Sequence, residues 1–517
     1  MDITDRAWVR AWTTRIAIAV VAVAAAIWAA GSLAWPFGYD QGAISRSADV
    51  LLRGGIPFRD AFDVKGPASF LPSAAALALF GRNWWGLRLL DLVAVGWIAL
   101  AIGRLGSRFA GRACGIAAAL LWVLAYGNTG AGNTAQPDLW VSWLLLATGT
   151  SICLSDEPPA SWRLALLAAA VGVATLVKPF YAAFLILPAG AVLLDRPAGR
   201  RRGALGLVTV GFVVPVLLAG VWYGMHGGLG ALWEAYVSFN VSKNSPDLVG
   251  VAVSAISYGL VLDPVVLIAF PLAVAGAVAL HRVSPRAALV LGGWFVLALL
   301  CILIQRPYFP YRLHTISPVM AVLAAVAVAR LRSNARNDPG GTTVPDTLGA
   351  VLFLLAAVTL GRHPLGEGLR GIKVLAGVTP RAEYYGQFRI WHHASASDAM
   401  AVTRFLADST PPGTAVFAWD WPSVAVLADR PTTPRLIVSV VTNDAVPEAV
   451  RQHYLDELAR DLRAAAPPVV VAEDTLGLGG RCLACLPPFA AMGRSASALT
   501  AGYHPVFRSG PLIVFRR

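Results

Sequence analysis

Four stretches of this sequence bring acids and cations together in patterns that can do chemistry. Trp35 to Pro72 (WPFGYDQGAISRSADVLLRGGIPFRDAFDVKGPASFLP) holds Asp40, Asp49, Asp60 and Asp63 with Arg46, Arg53, Arg59 and Lys65. GNTAQPDLW carries Asp138, and LVKPFYAAFLILP carries Lys178. QRPYFPYRLHTISP sets Arg306, Tyr308, Tyr311, Arg312 and His314 close together. A positioned carboxylate takes a proton from a reacting hydroxyl, and cations aimed at developing negative charge steady an anionic leaving group. Arginine suits two-pronged contact with such a group, whereas lysine acts as a point charge. Lysine is scarce: Lys65, Lys178, Lys243 and Lys373 are all the chain has among 42 basic residues.

The elements that must position these groups are apolar. The 517 residues are 57% hydrophobic and 14% charged, with a mean hydropathy of +0.63, whereas a soluble domain is about one quarter charged. Runs of about 20 apolar residues recur through the first two-thirds, the length that crosses a bilayer as a helix. The sequence therefore predicts a multi-pass membrane protein with spans near 14–34, 84–103, 113–127, 137–153, 163–177, 180–195, 203–224, 261–280, 287–305, 311–330 and 345–361, about 11 in all. The net charge of +13 is then a topology signal and not a nucleic-acid footprint. Arginines crowd alternate loops (Arg6, Arg10, Arg104, Arg108, Arg112, Arg200, Arg201, Arg202, Arg330, Arg332), which places those loops and the N-terminus inside. The 35–82 loop, the 128–136 loop, the 225–260 loop and the C-terminal tail then lie outside, and the four chemical stretches share that face. MDITDRAWVRAWTTR lacks a small-residue cleavage site, so it reads as the start of an uncleaved first span.

After residue 361 the composition turns polar, dividing the chain into a membrane domain over 1–361 and a soluble α/β domain over 362–517. SDAMAVTRFLADS and YLDELARDLRAAA read as amphipathic helices, and TAVFAW, PVVVAE and PLIVFRR as strands. Their alternation predicts a small, mostly parallel sheet. No Gly-x-Gly-x-x-Gly turn is present, so the domain reads as a support or acceptor-positioning module. Cys114, Cys153 and Cys301 read as buried apolar residues. Cys482 and Cys485 lack further ligands for zinc and read as a local disulfide.

Each chemical residue also has a plainer reading. Asp138 suits a helix N-terminus beside Pro137, and Lys178 suits a side chain snorkelling to headgroups. Arg306, Tyr308, Tyr311 and Arg312 suit an interfacial belt. His314 reads as a packing residue. Asp91, three residues after Arg88, reads as its structural partner.

In order along the chain, Asp40-Gln41, Gly55-Ile56-Pro57-Phe58-Arg59-Asp60 and Lys65-Gly66-Pro67 resemble the first outer loop of GT-C glycosyltransferases. The likeness is to the bacterial family 39 type, with its protein mannosyltransferase and aminoarabinose transferase relatives. That group typically reads Asp-Glu or a variant, then Gly-x-Pro-Tyr-x-Asp, then Lys-Pro-Pro, so Gln41 and Gly66 are departures. The resemblance extends through Asp138, Lys178-Pro179, Tyr308 to Pro318 and the C-terminal domain. It implies a plasma-membrane enzyme that moves a sugar from a polyprenyl-phosphate donor to a lipid, polysaccharide or protein hydroxyl on the outer face. On that pattern Asp40 is the base and Asp138 orients a substrate or a possible divalent metal. Lys65, Lys178, Arg306 and Arg312 hold the donor phosphate, and Arg59, Asp63, Tyr308 and Tyr311 line the substrate. A transporter or lipid flippase, or a non-catalytic scaffold of the same fold, would also account for the spans and charges. Transporters tend to show internal repeats and midplane sites, and no two-half symmetry is visible here. Gln41 is the residue that favours the scaffold.

Overall fold

In the computed structural model of the chain, residues 3–243, 264–305, 309–337, 346–391, 393–442, 446–475, 477, 482–493 and 495–517 are described. Arg306 and Tyr308 lie outside them, as does much of the expected 225–260 loop. The chain divides into two compact units: Met1–Leu33, Asp91–Leu218 and Asp247–Ile372 form one, and Ala34–Leu90, Ala219–Pro246 and Lys373–Arg517 form the other.

The first unit is helical. Among the described residues five helices are long and apolar enough to cross a membrane: Arg15–Ser32, Trp85–Ala110, Pro137–Leu154, Ala198–Met225 and Pro285–Ile304. Arg112–Asn128, Ser161–Thr175, Pro179–Asp195 and Leu267–His281 are shorter apolar helices, so length and composition identify fewer full spans than the apolar runs predict. Two expected spans begin differently from a plain α-helix. Pro179–Leu185 and Pro310–Thr315 are 3₁₀ turns that precede the α-helices Ile186–Asp195 and Ser317–Asn337, each opened by a proline whose fixed φ and missing N–H suit a helix start. The helix Asp346–Leu375 runs straight through residue 361, where the composition changes.

With no water to drive apolar faces together, helices in a membrane associate by close packing, which favours small residues at their contacts. Gly276, on Pro264–His281, is such a contact: a Cβ there would stand 1.9 Å from the Leu323 carbonyl oxygen of Ser317–Asn337. A backbone atom cannot swing aside, so Gly276→Ala forces the two helices apart. The expected cost is about 1–3 kcal/mol, seen as a lower unfolding temperature in detergent. Gly206→Ala, with nothing within 4 Å of its added methyl, serves as the control. Equal stability of the two variants would show that this contact is not a constraint.

The second unit gathers residues from three distant parts of the chain around one apolar core, including Phe58, Phe62, Phe70, Tyr223, Phe239, Phe417, Tyr454 and Phe515. The 35–82 stretch contributes the helices Tyr39–Leu52 and Leu71–Phe80. Between them Phe58 adopts a left-handed backbone (φ 71°), its N–H bonded to Ala61 O at 2.8 Å. Burial of the Phe58 ring against Phe70 and Tyr223, with centroids 5.4 and 5.7 Å away, offsets that backbone cost.

The described residues of 389–516 supply six strands: β1 (Arg389–Trp391), β2 (Ala394–Ser395), β3 (Val416–Ala418), β4 (Val469–Glu473), β5 (His504–Ser509) and β6 (Leu512–Arg516). β1 and β2 pair by themselves, and the larger sheet has the order β3-β4-β6-β5. The helices Ala396–Ser409 and Glu448–Ala465 match the two amphipathic stretches. The sheet itself corrects the expectation of mostly parallel pairing: only β3 and β4 run parallel, while β4–β6 and β5–β6 are antiparallel. The reason is local. β5, unrecognised in the sequence because its apolar residues are few, joins β6 through a tight turn at Gly510 (φ 53°), and a short hairpin can join only antiparallel strands. Cys482 and Cys485 form a disulfide.

Candidate active site

Asp40 lies in the first turn of the helix Tyr39–Leu52, where the helix dipole favours a carboxylate. Gln41 occupies the N3 position and reaches back to the helix start, its side-chain oxygen accepting the Gly38 N–H. The residue standing where the related pattern has a second acid therefore serves the helix start and is fully buried. Lys65 precedes the 3₁₀ turn Pro67–Phe70, and its N–H donates to Asp63 Oδ1 at 2.9 Å. That Asx-type turn aims the side chain, whose Nζ donates to Asp40 Oδ1 at 2.8 Å. Both side chains keep some contact with the exterior, 12% for Lys65 and 23% for Asp40. The base and the cation singled out in the sequence, 25 residues apart, are thus an ion pair.

Asp63 sits beneath this pair, 3% exposed, and its Oδ2 has no hydrogen-bond partner among the described residues. Burial raises its pKa above the ordinary 3.8; Lys65 opposes that rise and Asp40 adds to it. A carboxyl whose folded pKa lies above its unfolded value binds more protons when folded. Its contribution to stability then falls as pH rises from about 4 through the folded pKa. Asp63→Asn keeps an acceptor for the Lys65 N–H without the buried charge. Its stability relative to the native protein is expected to rise between pH 4 and pH 7, measured by denaturant unfolding at both. A flat difference would show that burial leaves the Asp63 pKa unshifted, and a falling one that the ionised form is the stabilising one.

Other charges of this stretch are engaged in structure. Arg46 is buried and spends its donors on Thr432 Oγ1, Arg435 O and Pro434 O at 2.8, 2.7 and 2.8 Å. Burial lowers its pKa to about 9, against the pull of Asp63, so it remains a cation at neutral pH. Arg59, expected to line the substrate, forks onto Asp60 at 2.8 and 2.9 Å and reaches His226 O at 3.2 Å. Asp49 is bracketed by Arg53 and Arg82, each at 2.7 Å.

The first unit holds the second cluster. Asp138, in the first turn of Pro137–Leu154, is fully buried. Its carboxylate accepts Lys178 Nζ at 2.7 and 2.8 Å and the Tyr181 hydroxyl at 2.5 Å. Lys178 also donates to Gln305 Oε1 at 2.8 Å, which accounts for its three N–H groups, and lies 5.6 Å over the Tyr311 ring. Thr315 Oγ1 meets the Tyr181 hydroxyl at 2.9 Å. Tyr181, Gln305 and Thr315 were not singled out in the sequence; Tyr181, three residues past Lys178 in Lys-Pro-Phe-Tyr, was the one with a readable signal. Arg312 is 8% exposed and stacks over Phe309 at 5.8 Å. Its Nε and Nη1 have no partner among the described residues. His314 is buried, with Nε2 2.8 Å from Asn133 O, in keeping with a packing role.

The two clusters therefore differ in chemistry. Asp40 with Lys65 is a partly exposed acid–cation pair. Asp138 with Lys178 is an enclosed, saturated one, beside a buried guanidinium with donors to spare. Among the described residues no three His, Cys, Asp or Glu side chains converge as metal ligands would, and Asp40 Oδ1 and the Gln41 oxygen are already committed.

No protein-family model matches the sequence, and no curated protein does. Solved structures do. ArnT from Cupriavidus metallidurans in the apo state is similar over 99% of this chain and 98% of its own, at 15% identity and a TM-score of 0.59. ArnT from the same organism bound to undecaprenyl phosphate is similar over 96% of both chains, at 16% identity and a TM-score of 0.55. Likeness of backbone at so low an identity concerns the fold, and nearly the whole length of both chains takes part in it. Over nearly its whole length the chain has the fold of ArnT, with helices long and apolar enough to cross a membrane.

Proposed function

We propose that this protein transfers a sugar from a polyprenyl-phosphate donor to a hydroxyl of an envelope acceptor, on the outer face of the plasma membrane. The observation that carries the reading is the Asp40–Lys65 pair at 2.8 Å, which joins a proton acceptor to a phosphate-binding cation. The fold supports it, since one ArnT structure of that fold is bound to undecaprenyl phosphate. In the reaction the acceptor oxygen forms a bond to the sugar's anomeric carbon and gives its proton to Asp40. The bond from that carbon to the phosphate oxygen breaks, its electron pair stays on the phosphate, and Lys65 offsets the charge. Before donor binds, Lys65 neutralises Asp40; a phosphate competing for the ammonium frees the carboxylate for its task.

Among the described residues of the other unit Arg312 has donors left for an anionic oxygen, and Lys178 is bonded to Asp138 and Gln305. We assign Asp138 to positioning and keep Arg306 and Tyr308 as donor-binding and lining residues. Tyr311 braces Lys178. Asp63 shapes the Lys65 turn by accepting the Lys65 N–H, and the C-terminal residues lie outside the cytoplasm. The test is an assay of the purified chain in lipid with labelled polyprenyl-phosphate sugars and envelope acceptors, alongside mass spectrometry of envelope glycolipids and polysaccharides in a deletion strain. A labelled product in the first, and the same glycoform missing in the second, is the expected result. An unchanged envelope and no product, with labelled lipid crossing the bilayer instead, would make this a flippase.

A further inference from the structure

The start of the helix that carries Asp40 is held by a residue almost 400 positions later in the chain. Asp420 follows β3 with a left-handed backbone (φ 60°), a conformation rare for residues with a side chain but tolerated by Asp. It is 5% exposed, and its N–H donates to Ile437 O at 2.8 Å. Its Oδ1 accepts the Ser439 N–H at 2.6 Å and the Tyr39 hydroxyl at 2.9 Å. Three residues on, Ser423 packs against Gly42 so tightly that a Cβ at Gly42 would lie 3.1 Å from the Ser423 Cβ. Tyr39 and Gly42 flank Asp40 and Gln41, so the 420–423 turn bears on both sides of the proposed base. The later turns of the same helix are anchored separately, Arg46 to residues 432–435 and Arg53 to Asp429. Burial and the Asp420 charge hold the Tyr39 phenol well above its ordinary range, so it stays a donor at any working pH.

Resting on the reading of Asp40 as the base, we propose that Asp420 is a positioning residue for it, acting through the Tyr39 hydroxyl. A part of the chain with no catalytic group of its own would then set the rate by fixing one helix turn. Misplacement of a reacting group by about 1 Å can cost 10²-fold, and this contact controls the first turn without holding the helix as a whole.

The test compares Tyr39→Phe, Asp420→Ala, their combination and Asp420→Asn in the full-length protein. The first two are expected to lower kcat by about 10- to 100-fold with donor KM within about twofold of native. The combination is expected to be no slower than Asp420→Ala, which already removes the Tyr39 contact along with that to the Ser439 N–H. Asp420→Asn keeps an acceptor oxygen and tolerates the left-handed backbone, so it restores most of the rate. Hydrogen exchange, read without activity, is expected to quicken at the amides of 39–43 and not at 46–52. Native kcat and native exchange in Tyr39→Phe would overturn the proposal, as would additive losses in the combination. Absence of transfer by the native protein would defeat the sugar-transfer reading and this proposal with it. Intact transfer with unchanged variants would defeat the positioning role alone.

Discussion

Asp40→Asn is expected to lower kcat for sugar transfer by about 10²–10⁴-fold, the range over which a positioned general base acts. Asn keeps the shape of the carboxylate and an oxygen for the Lys65 ammonium, so neither the helix start nor the turn at Asp63 has reason to move. What it loses is the capacity to accept a proton. Donor affinity is therefore expected to hold within a few-fold, measured by competition with unlabelled polyprenyl phosphate. Lys65→Met is the complementary change: it weakens donor binding and slows transfer together, because the cation serves both bound and departing phosphate. An Asp40→Asn enzyme with near-native kcat would remove Asp40 from the chemistry, whatever the fold.

The second large effect concerns stability. Asp138 is fully enclosed and Lys178 only 15% exposed, so removing either partner leaves the other's charge buried. Breaking a buried pair this way costs about 3–5 kcal/mol, and Lys178→Met is expected to lose that much in thermal unfolding in detergent. Replacing both partners, Asp138→Asn with Lys178→Met, leaves no stranded charge and is expected to recover much of the loss. The comparison decides the role of Lys178. If Lys178→Met unfolds like the native protein and instead raises the donor KM, the lysine belongs to the phosphate and its bond to Asp138 is incidental.

The chain's order of apolar runs located the helices of its first unit, because a bilayer demands about 20 apolar residues per crossing and that demand is written locally. Among the described residues, though, only five helices are long and apolar enough for a crossing. The same locality made Asp40, Lys65, Asp138 and Lys178 visible, since charge beside a span is conspicuous. It could not show how each would be partnered. Asp138 and Lys178 are 40 residues apart, and the bonds they make to each other, to Gln305 and to Tyr181 involve two side chains that carry no charge to draw notice. Gln41 looked like a damaged acid pair; the fold uses its amide to close a helix cap.

Sequence alone determined the membrane class, the likeness to GT-C loops and the C-terminal α/β pattern, all properties of short stretches; the Cys482–Cys485 bond that it suggested is seen in the structure. Tertiary structure alone decided that the 35–82 loop, residues 219–246 and residues 373–517 make one compact unit. It also decided that the sheet is mixed, that Arg46 and Arg59 are engaged in structure, and that Asp420 meets Tyr39. Those outcomes depend on which distant side chains share a desolvated space. There an unpaired charge is costly and a satisfied one is quiet, and no local pattern of residues records that choice.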